Sequence, residues 1–184
     1  AGNYVAHFDN QNNSVHHPYG LKINFSGMAP DDNVAQAIIF ADSSAQRFIV
    51  FSDGDVQNHD NSYGSISDEK VKEQITDASS QWNDIKALKV RKFKMKEDVA
   101  KGDSDDHWRL GVVAQELETA GMSGLVKNNP DMEEDTDTKI MKETGTTTKS
   151  VKYSILYMKA VKALQEAMTR IETLEAKVKA LEEA

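Results

Sequence analysis

Cysteine is absent from all 184 residues. That excludes a disulfide framework, a thiolate metal site and a cysteine nucleophile, and it fits a cytosolic origin. Long apolar runs are absent too. No stretch approaches the roughly 20 residues a membrane helix needs, and no basic-then-apolar segment opens the chain as a secretory leader would. Aromatic residues are scarce at 7%. Positive charge is missing from one region: residues 1–66 carry only Lys22 and Arg47 against seven aspartates, whereas 67–184 carry 20 basic and 23 acidic groups. The net charge of −8 argues against a general binder of nucleic acid or membrane surfaces. What remains, 39% hydrophobic and 28% charged residues, is the composition of a soluble protein of one or two domains. The shift in composition near residue 67 marks a domain boundary.

Before that boundary the chain reads as short strands. Tyr4–Phe8, Leu21–Phe25, Ala35–Phe40 and Arg47–Phe51 are rich in β-branched or aromatic residues. Asp9-Asn10-Gln11-Asn12-Asn13, Ser26-Gly27 and Ser52-Asp53-Gly54-Asp55 punctuate them as turns. So few strands make a thin core, as expected of the end of a longer β-structured body. Beyond the boundary the period changes. Val71, Ile75, Ala78, Trp82 and Ile85 recur at helical steps, with Ser79-Ser80 as a point of division. Val90–Lys96 alternates as a strand with a wet lysine face, Lys101–Asp106 is a polar turn, and Trp108–Val113 is a return strand. Ala114–Ala120 is a short helix closed by Gly121. Asp131–Asp137 reads as a mobile acidic loop, and Thr138–Glu143 with Thr147–Tyr153 as a hairpin around Gly145.

The C-terminal segment carries a heptad. Tyr157, Leu164, Ile171 and Val178 occupy position a; Ala160, Ala167, Leu174 and Leu181 occupy d. An apolar pair kept over four heptads predicts a coiled coil. Arg170 and Lys177 at g and Glu175 and Glu182 at the following e would pair between parallel chains. The seam does not fix the number of strands. The alternative is one long helix packed on its own domain.

Ser67-Asp68-Glu69-Lys70-Val71-Lys72, at the boundary, admits two readings. A serine before Asp-Glu and an apolar-periodic segment is an ordinary helix N-cap. A serine beside lysine is also a known nucleophile–base pair, because an amine of lowered pKa can take the hydroxyl proton. Attack on the carbonyl of Ile66 would convert the peptide to an ester, and water would then separate the halves. At ~100° per helical residue, spacing alone nominates Lys70 as the base.

The stretch from Asn61 to Ile75 resembles the junction signature of the intramolecular chaperone domain of bacteriophage tail spikes and fibres, the self-cleaving type of endosialidase tailspikes. Leu110-Gly111-Val112-Val113-Ala114-Gln115-Glu116-Leu117 resembles that family's Gly-hydrophobic-hydrophobic-Ala-Gln-Glu segment. Val151-Lys152-Tyr153-Ser154 leads into the terminal helix as in the family. The resemblance spans about residues 55–184. It implies a homotrimer that aligns three fibre chains, assists their folding and is released by cleavage between Ile66 and Ser67. By position it makes Ser67 the nucleophile and Lys72 the general base, with Lys70 standing where the family often has arginine. It gives Asp68 no chemical step, and Gln115 and Glu116 a role in packing or trimer contacts.

Other constellations are weaker. His7, His16, His17, His59 and His107 lack metal-ligand spacing, and Asp103, Asp105 and Asp106 lack the later glycine and closing Glu of a calcium loop. No metal or cofactor is expected. Lys86–Lys96 is a dense basic strand suited to a solvated face or to interchain pairing with acids.

The expected architecture is α+β. A β-structured fibre end (1–66) precedes a small mixed helix and hairpin chaperone domain (67–153). A long C-terminal helix (154–184) then forms a parallel trimeric coiled coil through Tyr157, Leu164, Ile171, Leu174, Val178 and Leu181. The expected partners are two further copies of the chain, its own fibre body and a host surface receptor met by the β-structured part, with neither nucleic acid nor membrane. The fibre part would belong to the virion tail, and the chaperone would be released in the host cytoplasm. The rivals are a non-catalytic trimerisation module, in which Ser67 only caps a helix, and a receptor-binding fibre tip.

Overall fold

The computed structural model describes residues 9, 11, 20–28, 34–100, 102, 108–138 and 140–184. They fall into two compact units, Ala1–Glu73 and Gln74–Ala184. The expected strand Tyr4–Phe8, most of the Asp9–Asn13 and Lys101–Asp106 turns, and His7, His16, His17 and His107 lie outside the described residues.

The first unit holds an antiparallel meander of β1 (Gln36–Ala41), β2 (Gln46–Phe51) and β3 (Val56–Asn58). Ile38 faces Val50, Ile39 faces Ile49 and Phe40 faces Phe48, so β-branched and aromatic residues pair across the strands. The Phe40 and Phe48 rings lie 5.6 Å apart. Ile49 and Phe51 are buried, a core as thin as the composition implied. The β1–β2 turn is tied by Asp42, whose Oδ1 accepts the amides of Ser44 (2.8 Å) and Ala45 (2.9 Å) while Oδ2 accepts from Arg47 Nε (2.7 Å). These donors, the Ser44 hydroxyl first, hold its carboxyl well below the usual range. Leu21–Phe25 is irregular and exposed rather than a strand. Its apolar side chains Leu21, Ile23 and Phe25 are exposed, and strand propensity is a weak force without burial of such side chains.

The second unit begins at Gln74, and the stretch that leads into it departs most from the sequence reading. The apolar stripe from Val71 to Ile85 does not form one helix. A single 3-10 turn, Glu69–Val71, is followed by irregular chain until α1 (Trp82–Ala87). Gln74 has φ +54, a left-handed value that interrupts any helix, and Val71 and Ile75 are exposed. Helical periodicity without a packing surface does not make a helix.

After α1 come β4 (Arg91–Phe93), α2 (Lys96–Ala100) and β5 (Arg109–Gly111), with β4 and β5 antiparallel. The basic strand is thus shorter than expected, and Glu97 and Asp98 favour a helical first turn at its end. α3 (Ala114–Thr119) stops where expected, with Gly121 at φ +81.

Only the end of the acidic stretch, Asp135–Asp137, lies in a turn. Asp131–Glu134 belong to β6 (Val126–Glu134), which pairs along its length with β7 (Met141–Val151). Asp131 Oδ2 accepts the Thr146 hydroxyl at 2.6 Å, which ties that carboxylate to the neighbouring strand. The expected second hairpin is therefore one continuous strand. Gly145, at φ +82, lies in β7 beside the register shift between Pro130 and Met132, so it marks a bulge.

The 30-residue α4 (Tyr153–Glu182) completes the unit. Leu117, Met122, Leu125 and Leu156 form its core, flanked by Ile85, Leu88, Val112, Ala120, Val126 and Val151. The mixed α+β class follows directly, with β hairpins and a long C-terminal helix.

α4 divides along its length. Its first half docks on α1: Lys159 Nζ reaches Asp84 Oδ2 at 2.6 Å. Glu166 accepts from Ser80 Oγ (2.7 Å) and the Gln81 amide (2.9 Å), capping α1 from outside. Arg170 lies 3.9 Å over the Trp82 ring. From residue 171 to 184 every side chain is exposed.

Candidate functional site

The chain leaves β3 through a knot built by one side chain. Asn58 Oδ1 accepts the amides of Asp60 (2.9 Å) and Ser62 (3.4 Å), and Asn58 Nδ2 donates to the Ser62 carbonyl at 2.6 Å. Tyr63 Oη donates to the Val56 carbonyl at 3.3 Å. Asn61 takes φ +48 inside this loop, a region asparagine tolerates better than most residues. Ile66 follows, its side chain 85% exposed.

At the boundary motif, Lys72 Nζ donates to Ser67 Oγ at 2.5 Å. Both side chains are exposed. Ser67 caps no helix. The cap of the Glu69–Val71 turn is Asp68, whose Oδ1 accepts the Lys70 amide at 2.9 Å. The two lysines are sorted by this turn. Lys70 Nζ turns toward Asp68 Oδ2 (3.4 Å), and Lys72, in extended backbone just past the turn, faces Ser67. The α-helical geometry that nominated Lys70 does not occur here.

The other two motifs meet in the second unit. Val112 donates its amide to Tyr153 Oη at 3.3 Å. A Cβ on Gly111 would lie 2.8 Å from the same oxygen and 3.2 Å from Phe93 Cε1, which is why the position takes glycine. Glu116 makes a bidentate pair with Arg91, joining α3 to β4. That hydrogen bonding, with Arg91's charge, lowers the Glu116 pKa and raises that of Arg91. Glu116 is thus a packing residue within its own chain, and Gln115 is exposed. On the basic strand, Lys92 Nζ sits 4.5 Å from the centre of the Trp108 ring.

The heptad residues Tyr157, Leu164, Ile171, Leu174, Val178 and Leu181 are all exposed along α4. Leu164 and Ala160 also border an apolar groove of about 380 Å³ with Trp82 and Ile85. Arg170, one of the two expected g-position residues, is stacked on Trp82 within its own unit. The docking set on α4, Lys159, Glu166 and Arg170, escaped the sequence reading. Its signal was a second helical stripe of long polar residues beside the apolar one.

Residues 67–127 match the peptidase family described as Chaperone of endosialidase. This part of the chain is an intramolecular chaperone domain of the endosialidase type. A solved structure described as that of a novel intramolecular chaperon is similar over 56% of this chain and 99% of its own, at 19% identity and a TM-score of 0.45. No curated protein matches the chain. The match begins at Ser67 and runs through Gly111 and Glu116 to the first residues of β6. Among the described residues, no group of three His, Asp or Glu side chains is placed to hold a metal ion, and no helix is long and apolar enough to cross a membrane.

Proposed function

We propose that this chain is the C-terminal end of a phage tail fibre or tailspike whose chaperone domain trimerises, aligns the fibre strands, and releases itself by cutting between Ile66 and Ser67. The observation that carries the reading is the 2.5 Å contact from Lys72 Nζ to Ser67 Oγ, in a domain of the endosialidase chaperone type. Lys72 takes the hydroxyl proton as Ser67 Oγ attacks the Ile66 carbonyl carbon. The C–O bond forms, the C–N bond breaks, and the proton passes to the departing nitrogen. Water then hydrolyses the ester, leaving Ile66 as a new C-terminus and Ser67 as a new N-terminus. No cofactor is consumed, and each chain reacts once. The chemical boundary of the domain is this peptide bond, seven residues before the end of the first compact unit.

Self-association is supported by the end of α4. Ile171, Leu174, Val178 and Leu181 are 54%, 59%, 53% and 78% exposed, on fourteen residues that are all exposed. A bare helix of about 12–15 residues is marginal in water. Two further copies at the a and d positions would bury this stripe, and Lys177 and Glu182 supply the g–e pair, since Arg170 serves α1. Such an organiser suits interwound β-strands, whose non-local pairing folds slowly and exposes edges. Once it is removed, the folded fibre is kinetically held.

Mass spectrometry and sedimentation of freshly made protein test the proposal. The wild-type chain should form a trimer and yield a fragment beginning at Ser67. Ser67→Ala and Lys72→Ala should stay whole, and Lys70→Ala should still cut. Wild-type protein that remains uncut for days overturns the peptidase reading; a single-copy species overturns the trimer.

A further inference from the structure

The contact between Lys72 and Ser67 depends on a turn that three hydrogen bonds hold. Two are backbone bonds, from the Val71 amide to the Asp68 carbonyl (3.2 Å) and from the Lys72 amide to the Glu69 carbonyl (3.0 Å). The third comes from a side chain: Asp68 Oδ1 accepts the Lys70 amide at 2.9 Å. Without the turn, five extended residues would carry Lys72 about 17 Å along the chain from Ser67. A 3-10 step rises only ~2 Å per residue, so the turn shortens the path and redirects it. Asp68 at φ −64, ψ 137 enters the turn and Lys72 at φ −122, ψ 145 leaves it, both in extended backbone. The 3-10 segment lies entirely between the reacting partners and has no buried residue. Burial does not hold it, and its exposed backbone bonds compete with water.

We infer that Asp68 is a positioning residue for self-cleavage: its carboxylate oxygen, by accepting the Lys70 amide, fixes the turn that presents Lys72 Nζ to Ser67 Oγ. The assignment rests on the Ser67–Lys72 reading above and deepens it. Asp68 exchanges no proton with the reacting atoms. What the turn requires of it is an acceptor oxygen rather than a charge. Its carboxylate also approaches Lys70 Nζ at 3.4 Å, but such exposed pairs contribute little.

The test is a time course of fragment appearance by mass spectrometry during cell-free synthesis of the full chain. Asp68→Ala removes the acceptor; Asp68→Asn keeps an amide oxygen in its place and discards the charge. Asp68→Ala should slow cleavage about 5- to 30-fold, the range that follows loss of a capping side chain. Asp68→Asn should stay within about threefold of wild type. The pH midpoint of the rate should be common to all three, because Lys72 still does the chemistry, and sedimentation should show equal trimer in each. Cleavage of Asp68→Ala at the wild-type rate overturns the inference. So does Asp68→Asn as slow as Asp68→Ala, which would make the charge the active element. If those variants behave so while wild type cuts, the peptidase reading stands and only the role of Asp68 falls. If wild type stays whole, both fall together.

Discussion

Gly111→Ala probes the meeting of two motifs that lie forty residues apart in the sequence. The backbone of Gly111 is not in the left-handed region, so alanine is permitted there by its dihedrals and the issue is space. The new methyl would stand 2.8 Å from Tyr153 Oη, 3.2 Å from Phe93 Cε1 and 3.6 Å from Phe93 Cζ. The first distance forces the phenol to move, and the Val112 amide then loses the 3.3 Å bond it gives that oxygen. Overpacking of this kind costs about 1–3 kcal/mol, against about 0.4–1 kcal/mol returned by a stiffer unfolded chain. The expected net loss is about 1–2 kcal/mol. Tyr153→Phe removes the nearer obstacle and costs about 0.5–1.5 kcal/mol by itself. In that background Gly111→Ala should cost less than about 1 kcal/mol, because only the Phe93 contact remains. Urea titration followed by circular dichroism, at one fixed protein concentration because self-association shifts stability, closes the double-mutant cycle. An unchanged midpoint for Gly111→Ala, or equal penalties with and without the phenol oxygen, would refute the steric argument.

Two further predictions concern the second unit. Leu117 is only 2% exposed and sits at the centre of its core, so Leu117→Ala should lower stability by about 2–5 kcal/mol, read from the same urea titration. Asp135 is held down to about 2 from 3.8 by Lys142 first, then by the amides of Thr138 and Asp137. A depressed folded pKa contributes stability that is fully present above the unfolded value and lost as pH falls from about 3.8 through about 2. Carboxyl NMR should place the Asp135 midpoint near the lower figure, and Lys142→Ala should move it upward.

Sequence legibility followed the source of each element's stability. β1 and β2 were readable because β-branched and aromatic residues crowd there, and α3 because Gly121 ends it. The long helix was readable from its repeat. The segment from Val71 to Ile85 misled because its period was right while nothing packs against its first half. Asp131–Glu134 misled in the opposite direction: acidic residues argue for a loop, whereas here they pair along β7 and Asp131 takes the Thr146 hydroxyl across the ladder. Gly145 signals positive φ, and a turn and a bulge demand it equally. At the candidate site, composition exposed the boundary and the motif exposed the serine. The resemblance pointed to Lys72, whereas spacing alone pointed to Lys70 because it assumed an α-helical turn where the turn is 3-10. That is set by Asp68, a residue whose type is common at any helix start.

The Asn58 clasp has a mechanical consequence. Two carbonyl-side bonds and one amide-side bond fold Asp60 and Ser62 back onto a single asparagine, and Tyr63 is tethered to Val56 just beyond. Such an arrangement would act as strain relief on a cable, tying the chain down just ahead of the exposed residues after Tyr63. An outer ribbon of only three residues, β3, can therefore stay zipped beside a segment exposed to water.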